Sequence, residues 1–130
     1  MRLVLQRASG DCGIAALASL LEQSYEDVYV ATARVDRKCR GRNGIHLGAL
    51  IAVGKILGCS LLLKRRAVLD EDEGLLVVTW APGSRHEVGV PHLVALGHGV
   101  IVDPADGVIL PADEYLARER ATAGSFLELQ

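Results

Sequence analysis

Cys12 stands in the run Gln6-Arg7-Ala8-Ser9-Gly10-Asp11-Cys12-Gly13-Ile14-Ala15-Ala16-Leu17-Ala18-Ser19-Leu20-Leu21, where a short polar loop turns into an apolar segment. Thiolate is the attacking form of cysteine, and the first turn of a helix favours negative charge, so a thiol at this junction suits nucleophilic attack. Gln6 lies six residues upstream. Its side-chain amide can donate to the oxyanion of a tetrahedral intermediate, and the Cys12 backbone N–H at the helix end is a second donor. Further along, His92 opens an apolar run and Asp103 closes the next one. An imidazole there can take the thiol proton and later protonate a leaving amine, while a carboxylate holds the ring in the required tautomer. Cys12, His92 and Asp103, with Gln6 beside them, are the parts of a thiol hydrolase.

Each of these residues also has a plainer role to weigh. A lone Cys at a helix start is more often a small buried residue; the upstream Gln and the neighbouring Gly13, which lets a substrate approach the backbone, tip Cys12 towards chemistry. Asp103 precedes Pro104 and Gly107 and also reads as a turn residue, with Asp106 its nearest substitute. The other histidines fall at a helix start (His46), in a polar loop (His86) and in a hairpin turn (His98). Cys39 lies among cations and reads as a solvated loop residue, and Cys59 reads as core. The three cysteines have no paired Cys-x-x-Cys spacing, so neither a zinc site nor a disulfide framework is expected. No metal and no cofactor is implied. The Arg34–Arg42 cluster reads by default as a solvated basic loop offset by Asp70–Glu73.

The elements that must position these groups follow from periodicity. Ile14, Leu17, Ala18 and Leu21 recur at helical spacing and predict a helix over 12–23. Ser24 with Asp27 three residues on caps a second helix over 25–33. A third helix runs over 46–58, with Gly58 in the left-handed terminal position. Short apolar runs then predict strands over 59–64, 75–80, 92–96, 100–103 and 108–110, with Gly97-His98-Gly99 as a tight hairpin. A surface helix over 112–122 and a last strand over 126–129 complete the chain. Helices first and an antiparallel sheet afterwards is an α+β order, with a nucleophile on a helix set against a base on a strand.

The stretch from Gln6 to Leu21 resembles the start of the bacteriocin-processing peptidases, the papain-like C39 family, which opens on a Gln, five residues, then Cys-Gly and a small, apolar helix. Pro91-His92-Leu93-Val94-Ala95-Leu96, followed by Val100-Ile101-Val102-Asp103-Pro104-Ala105-Asp106-Gly107, is similar to the family's His strand and Asp-Pro turn. Gly44-Ile45-His46-Leu47-Gly48-Ala49-Leu50 through Leu57-Gly58 is similar to its middle helix. The likeness runs in order along nearly the whole chain. It implies a papain-like fold with N-terminal helices packed on a C-terminal antiparallel sheet. It further implies Cys12, His92 and Asp103 as catalytic residues, Gln6 in the oxyanion hole, and a peptide or protein substrate cut after a small pair of the Gly-Gly type. Two other outcomes stay open: a thiol acyltransferase or isopeptidase, and a non-catalytic peptide-binding or regulatory module on the same fold.

Composition narrows the setting. The 130 residues suffice for one domain over 1–130 with a real core. Half are apolar and 23% charged, against disorder, and a net charge of −2 makes no case for nucleic acid. No apolar run reaches the roughly 18 residues of a membrane span, and the N-terminus lacks a signal peptide's pattern. A reducing cytoplasm is the expected location, where a catalytic thiol stays usable. The sequence leaves the oligomeric state open.

Overall fold

Every residue from 13 to 20 is buried, which makes the first helix, α1 (Cys12–Leu21), a core element wrapped on all sides. A helix that is apolar all round must be enclosed, and three alanines keep its girth small enough for close approach. The one polar group inside, Ser19, is satisfied locally: its hydroxyl donates to Ala15 O (2.8 Å) and accepts from Val4 N–H (2.9 Å), which stitches the extended N-terminus onto the helix.

The computed structural model describes residues 1–37 and 46–130. Beyond α1 the elements are α2 (Tyr25–Val35), α3 (Leu47–Ile56), β1 (Leu61–Lys64), β2 (Gly74–Trp80), β3 (His92–Gly97), β4 (Val100–Asp103), β5 (Val108–Pro111), α4 (Ala112–Arg118) and β6 (Ala121–Leu129). Ser24 caps α2 by accepting from Asp27 N–H (3.1 Å), as the sequence predicts. At the end of α3, Gly58 takes φ +86°, Gly58 N–H donates to Lys55 O and Cys59 N–H to Gly54 O. That is a Schellman termination, with glycine where a side chain would be strained.

The strands form one antiparallel sheet in the order β1-β6-β2-β3-β4-β5. Its two faces hold separate cores. Leu75, Leu93, Ala95, Val102 and Leu127 pack with α1, α2 and α3. Leu76, Val78, Val94, Leu96, Ile101 and Phe126 pack with Ala112 and Tyr115 of α4. Side chains alternate along a strand, so a sheet covered on both faces reads as unbroken apolar runs. The chain is thus a mixed α+β protein. Among its described residues no helix is long and apolar enough to cross a membrane.

The hairpin joining β3 and β4 decides the site. His98 (φ 54°) and Gly99 (φ 74°) both take left-handed backbone, the geometry of a tight hairpin turn. The register pairs Gly97 with Val100, Leu96 with Ile101 and Ala95 with Val102. One step further, Asp103 stands level with Val94, on the face that His92 shares by two-residue alternation.

The C-terminal end departs from the expectation of a helix over 112–122. The helix stops at Arg118, Arg120 turns with φ 51°, and the last strand begins at Ala121 rather than at 126. Pairing with β2, from Trp80↔Ala121 onward, takes these residues out of the helix. Within that pairing Gly124 and Ser125 stand against Val77 alone, a bulge of the kind that re-aims side chains.

Gly74, at the start of β2, has no room for a side chain: a Cβ there would lie 2.0 Å from Leu127 O of β6. Gly74→Ala is therefore expected to destabilise the fold by about 1–3 kcal/mol or more through forced strand separation. Denaturant unfolding of the two proteins measures it, and an unchanged midpoint would contradict this packing.

Candidate functional site

His92 begins β3 and Asp103 ends β4, and the hairpin register brings them together: His92 Nε2 lies 2.8 Å from Asp103 Oδ1. The same oxygen accepts Ala105 N–H (2.9 Å), and Asp103 Oδ2 accepts the Tyr115 hydroxyl of α4 (2.6 Å). Asp103 and Tyr115 are both wholly buried. Cys12 comes from the helix layer over the opposite face of the sheet, lines the same cleft as His92 and is among the groups that raise the pKa of its ring. With Nε2 held by Asp103, Nδ1 is the ring nitrogen left for the thiol. The three residues singled out from sequence thus meet in space, in the order Cys12, His92, Asp103.

The electrostatics of this chain favour a charged ring. Burial works against the imidazolium of His92, but Asp103 first and Cys12 after it outweigh that effect and raise its pKa to about 9. Burial likewise disfavours the Asp103 carboxylate, yet His92, Tyr115 and Ala105 N–H hold it below the usual carboxylate range. Burial and the Asp103 charge push the Tyr115 hydroxyl far up, so it stays a donor. Trp80 of β2 stacks on His92, ring centroids 5.0 Å apart, and an aromatic face adds support for an imidazolium. His92 therefore carries a proton at neutral pH.

Gln6 sits in a tightly bonded loop. Its backbone N–H donates to Pro104 O (2.9 Å), next to Asp103, and its side-chain Nε2 donates to Ala8 O (2.9 Å). One of its two amide hydrogens is thus spent within the loop. Asp11, the residue before Cys12, organises the same loop from a fully buried position. Its Oδ2 accepts Arg7 N–H (2.9 Å), Ala8 N–H (3.2 Å) and the Tyr25 hydroxyl of α2 (2.6 Å).

A cleft of about 490 Å³ opens at this point, lined by Cys12, His46, Leu47, Val77, Pro91, His92, Leu93 and Ser125. Its walls are largely apolar, and only Cys12 and His92 among these residues belong to the set expected from sequence. His46 caps α3, its Nδ1 accepting Ala49 N–H (3.2 Å).

The remaining candidates separate from this centre. His98 lies in the β3–β4 turn. Asp106 pairs with Arg85 (2.7 Å), which also binds Glu119 (2.6 Å), and His86 stacks on Trp80 with its Nε2 3.6 Å from Asp106. Among the described residues His86, Asp106 and Glu119 form one group with metal-ligand atoms within 4.8 Å of one another. Arg85 already supplies that group's positive charge. Cys12 and Cys59 are both free thiols, and Cys59 is half-buried beside α3, where burial pushes its thiol up. Arg34 and Arg37 border a shallow hollow with His46 and Gly48; Lys38, Arg40, Arg42 and Cys39 lie outside the described residues.

Tyr115, Trp80, Asp11 and His46 are the site residues that sequence reasoning missed as such. Asp11 had a signal, an acidic residue directly ahead of an apolar helix. Tyr115 had none, since only the docking of α4 on the sheet brings it to Asp103. Comparison with known protein families and with curated proteins finds no match to this chain.

Two measurements follow. The raised pKa of His92 means that its ring stabilises the fold fully below about pH 6.5 and loses that contribution as pH rises through about 9. Thermal stability should fall across this window by up to about 3 kcal/mol in wild type, and by clearly less in His92→Gln. Parallel curves for the two proteins would remove the ion-pair assignment. Tyr115→Phe should cost about 1.5–3 kcal/mol, because it strips a donor from a buried carboxylate. It should also change the pH at which His92 titrates by NMR, a readout that loss of packing alone would leave in place.

Proposed function

We propose that this chain is a papain-like cysteine peptidase that cleaves a peptide bond through an acyl-enzyme on Cys12. The observation that carries the reading is the His92–Asp103 bond of 2.8 Å inside the cleft that also exposes the Cys12 thiol. The Cys12 sulfur attacks the carbonyl carbon, and the proton held by His92 passes to the leaving nitrogen as the C–N bond breaks. Water, deprotonated by His92, then attacks the thioester; the acid leaves and the proton returns to the thiol–imidazole pair. The Cys12 N–H and the second amide hydrogen of Gln6 stabilise the oxyanion in both steps. Asp103 orients the ring and stays ionised.

The resemblance to the C39 peptidases adds a substrate expectation, a peptide or protein cut after a small-residue pair of the Gly-Gly type, and the unpaired cysteines fit a reducing cytoplasmic setting. No cofactor takes part in these steps.

A peptide-library digest read by mass spectrometry tests the reading. Wild type should cut a defined set of peptides and Cys12→Ala none. Products carrying an added amine would make the protein an acyltransferase. A Cys12 thiol that alkylates no faster than Cys59, with no peptide cut, would leave a binding module. Against one cleaved peptide, Gln6→Ala should lose about 10²–10³ in turnover. Asp103→Asn should lose less than Cys12→Ala or His92→Gln, and Asp106→Asn should change little, since Asp106 is engaged with Arg85 rather than His92. Damage from Asp106→Asn with a silent Asp103→Asn would reverse these two assignments.

A further inference from the structure

We propose that His46 binds substrate, its imidazole donating a hydrogen bond to a main-chain carbonyl oxygen of a peptide lying in the cleft. The proposal rests on the peptidase reading of Cys12 and His92. Four polar side chains line the cleft: Cys12, His92, His46 and Ser125. The first two are committed to the reaction. The rest of the lining is Leu47, Val77, Pro91 and Leu93, which offer no side-chain donor. A peptide carbonyl that leaves water for such a cleft needs a new donor, because an unmade buried hydrogen bond costs about 1–3 kcal/mol.

His46 is prepared to supply one. Its backbone is extended (φ −75°, ψ 161°), as an N-cap requires, and its Nδ1 accepts Ala49 N–H at 3.2 Å. An accepting Nδ1 places the proton of the neutral ring on Nε2, so one edge of the ring is bound to the helix and the opposite edge carries a donor. His46 is exposed. Helix α3 thereby fixes the tautomer of a donor in the lining of the cleft that Cys12 and His92 share. Such a contact serves binding of the peptide backbone and is indifferent to its side chains.

The test uses His46→Ser, because serine keeps the helix cap but is too short to reach the cleft. Two probes are applied to the whole chain: the reversible thiol inhibitor acetyl-Leu-Gly-Gly-aldehyde, and iodoacetamide, which reports Cys12 reactivity without peptide contacts. The expected result is aldehyde binding weakened roughly tenfold in His46→Ser, with thermal stability and the iodoacetamide rate on Cys12 retained. His46→Ala should bind the aldehyde as weakly and melt lower, having lost the cap as well. Aldehyde affinity equal to wild type in His46→Ser overturns the proposal, as does a parallel fall in the iodoacetamide rate, which would place His46 in the chemistry instead. A wild-type Cys12 that is fast with iodoacetamide yet ignores the aldehyde also overturns it. Slow alkylation and no aldehyde binding in wild type would remove the peptidase reading itself, and this proposal with it.

Discussion

A carboxylate taken wholly out of water is the constraint around which the molecule is arranged. Removing such a charge from solvent costs several kcal/mol unless fixed hydrogen bonds and a counter-charge replace the lost hydration. Asp103 is 0% exposed, and its replacements come from three separate parts of the fold: His92 at the start of β3, Ala105 N–H in the following turn, and Tyr115 on α4. Satisfying that one side chain fixes the hairpin register, the docking of α4 on the sheet and the orientation of the imidazole. An error in any of them would leave a buried charge unpaired.

Cys12 and His92 belong to opposite sides of the sheet. Cys12 leads a helix that packs with Leu93, Ala95 and Val102, whereas His92 and Asp103 share the face of Val94, Leu96 and Ile101. They meet because both stand at the ends of their elements: Cys12 is the first residue of α1 and His92 the first of β3. Neither a thiol in mid-helix nor a histidine in mid-strand could cross the sheet. The apolar girth of α1 matters for the same reason. Its alanines bring the helix axis close to β3, and a bulkier helix would carry the thiol away from the ring.

The sequence displayed what depends on neighbours along the chain. Ser24, Gly58 and the His98-Gly99 turn act through local backbone chemistry, and the structure has each in its expected place. The α+β order was equally legible, because the apolar period changes beyond Gly58. What distant segments decide was hidden. Residues 121–125 extend only because β2 lies beside them, and the bulge at Gly124 and Ser125 that faces Val77 has no local sign. Tyr115 looks like any helix residue until α4 lands on the sheet. The side chain of Gln6 is the instructive case: its spacing from Cys12 is visible in the sequence, but its bond to Ala8 O depends on how the loop closes.

That closure shows how one residue can serve both stability and the proposed chemistry. An aspartate at an N-cap ordinarily accepts from the first amides of its helix, a bond worth about 1 kcal/mol. Asp11 instead sits at φ −100°, ψ 20° and makes no side-chain cap bond to α1. It turns back and spends Oδ2 on Arg7 N–H, Ala8 N–H and the Tyr25 hydroxyl. Three donors on one buried oxygen offset the missing cap and hold the Gln6 loop against α2. The first amides of α1 are left without a side-chain acceptor, beside the thiol, at the end of the helix that favours negative charge. In a peptidase that is where the oxyanion and the thiolate both form, so a cap in its usual place would compete with the reaction it precedes.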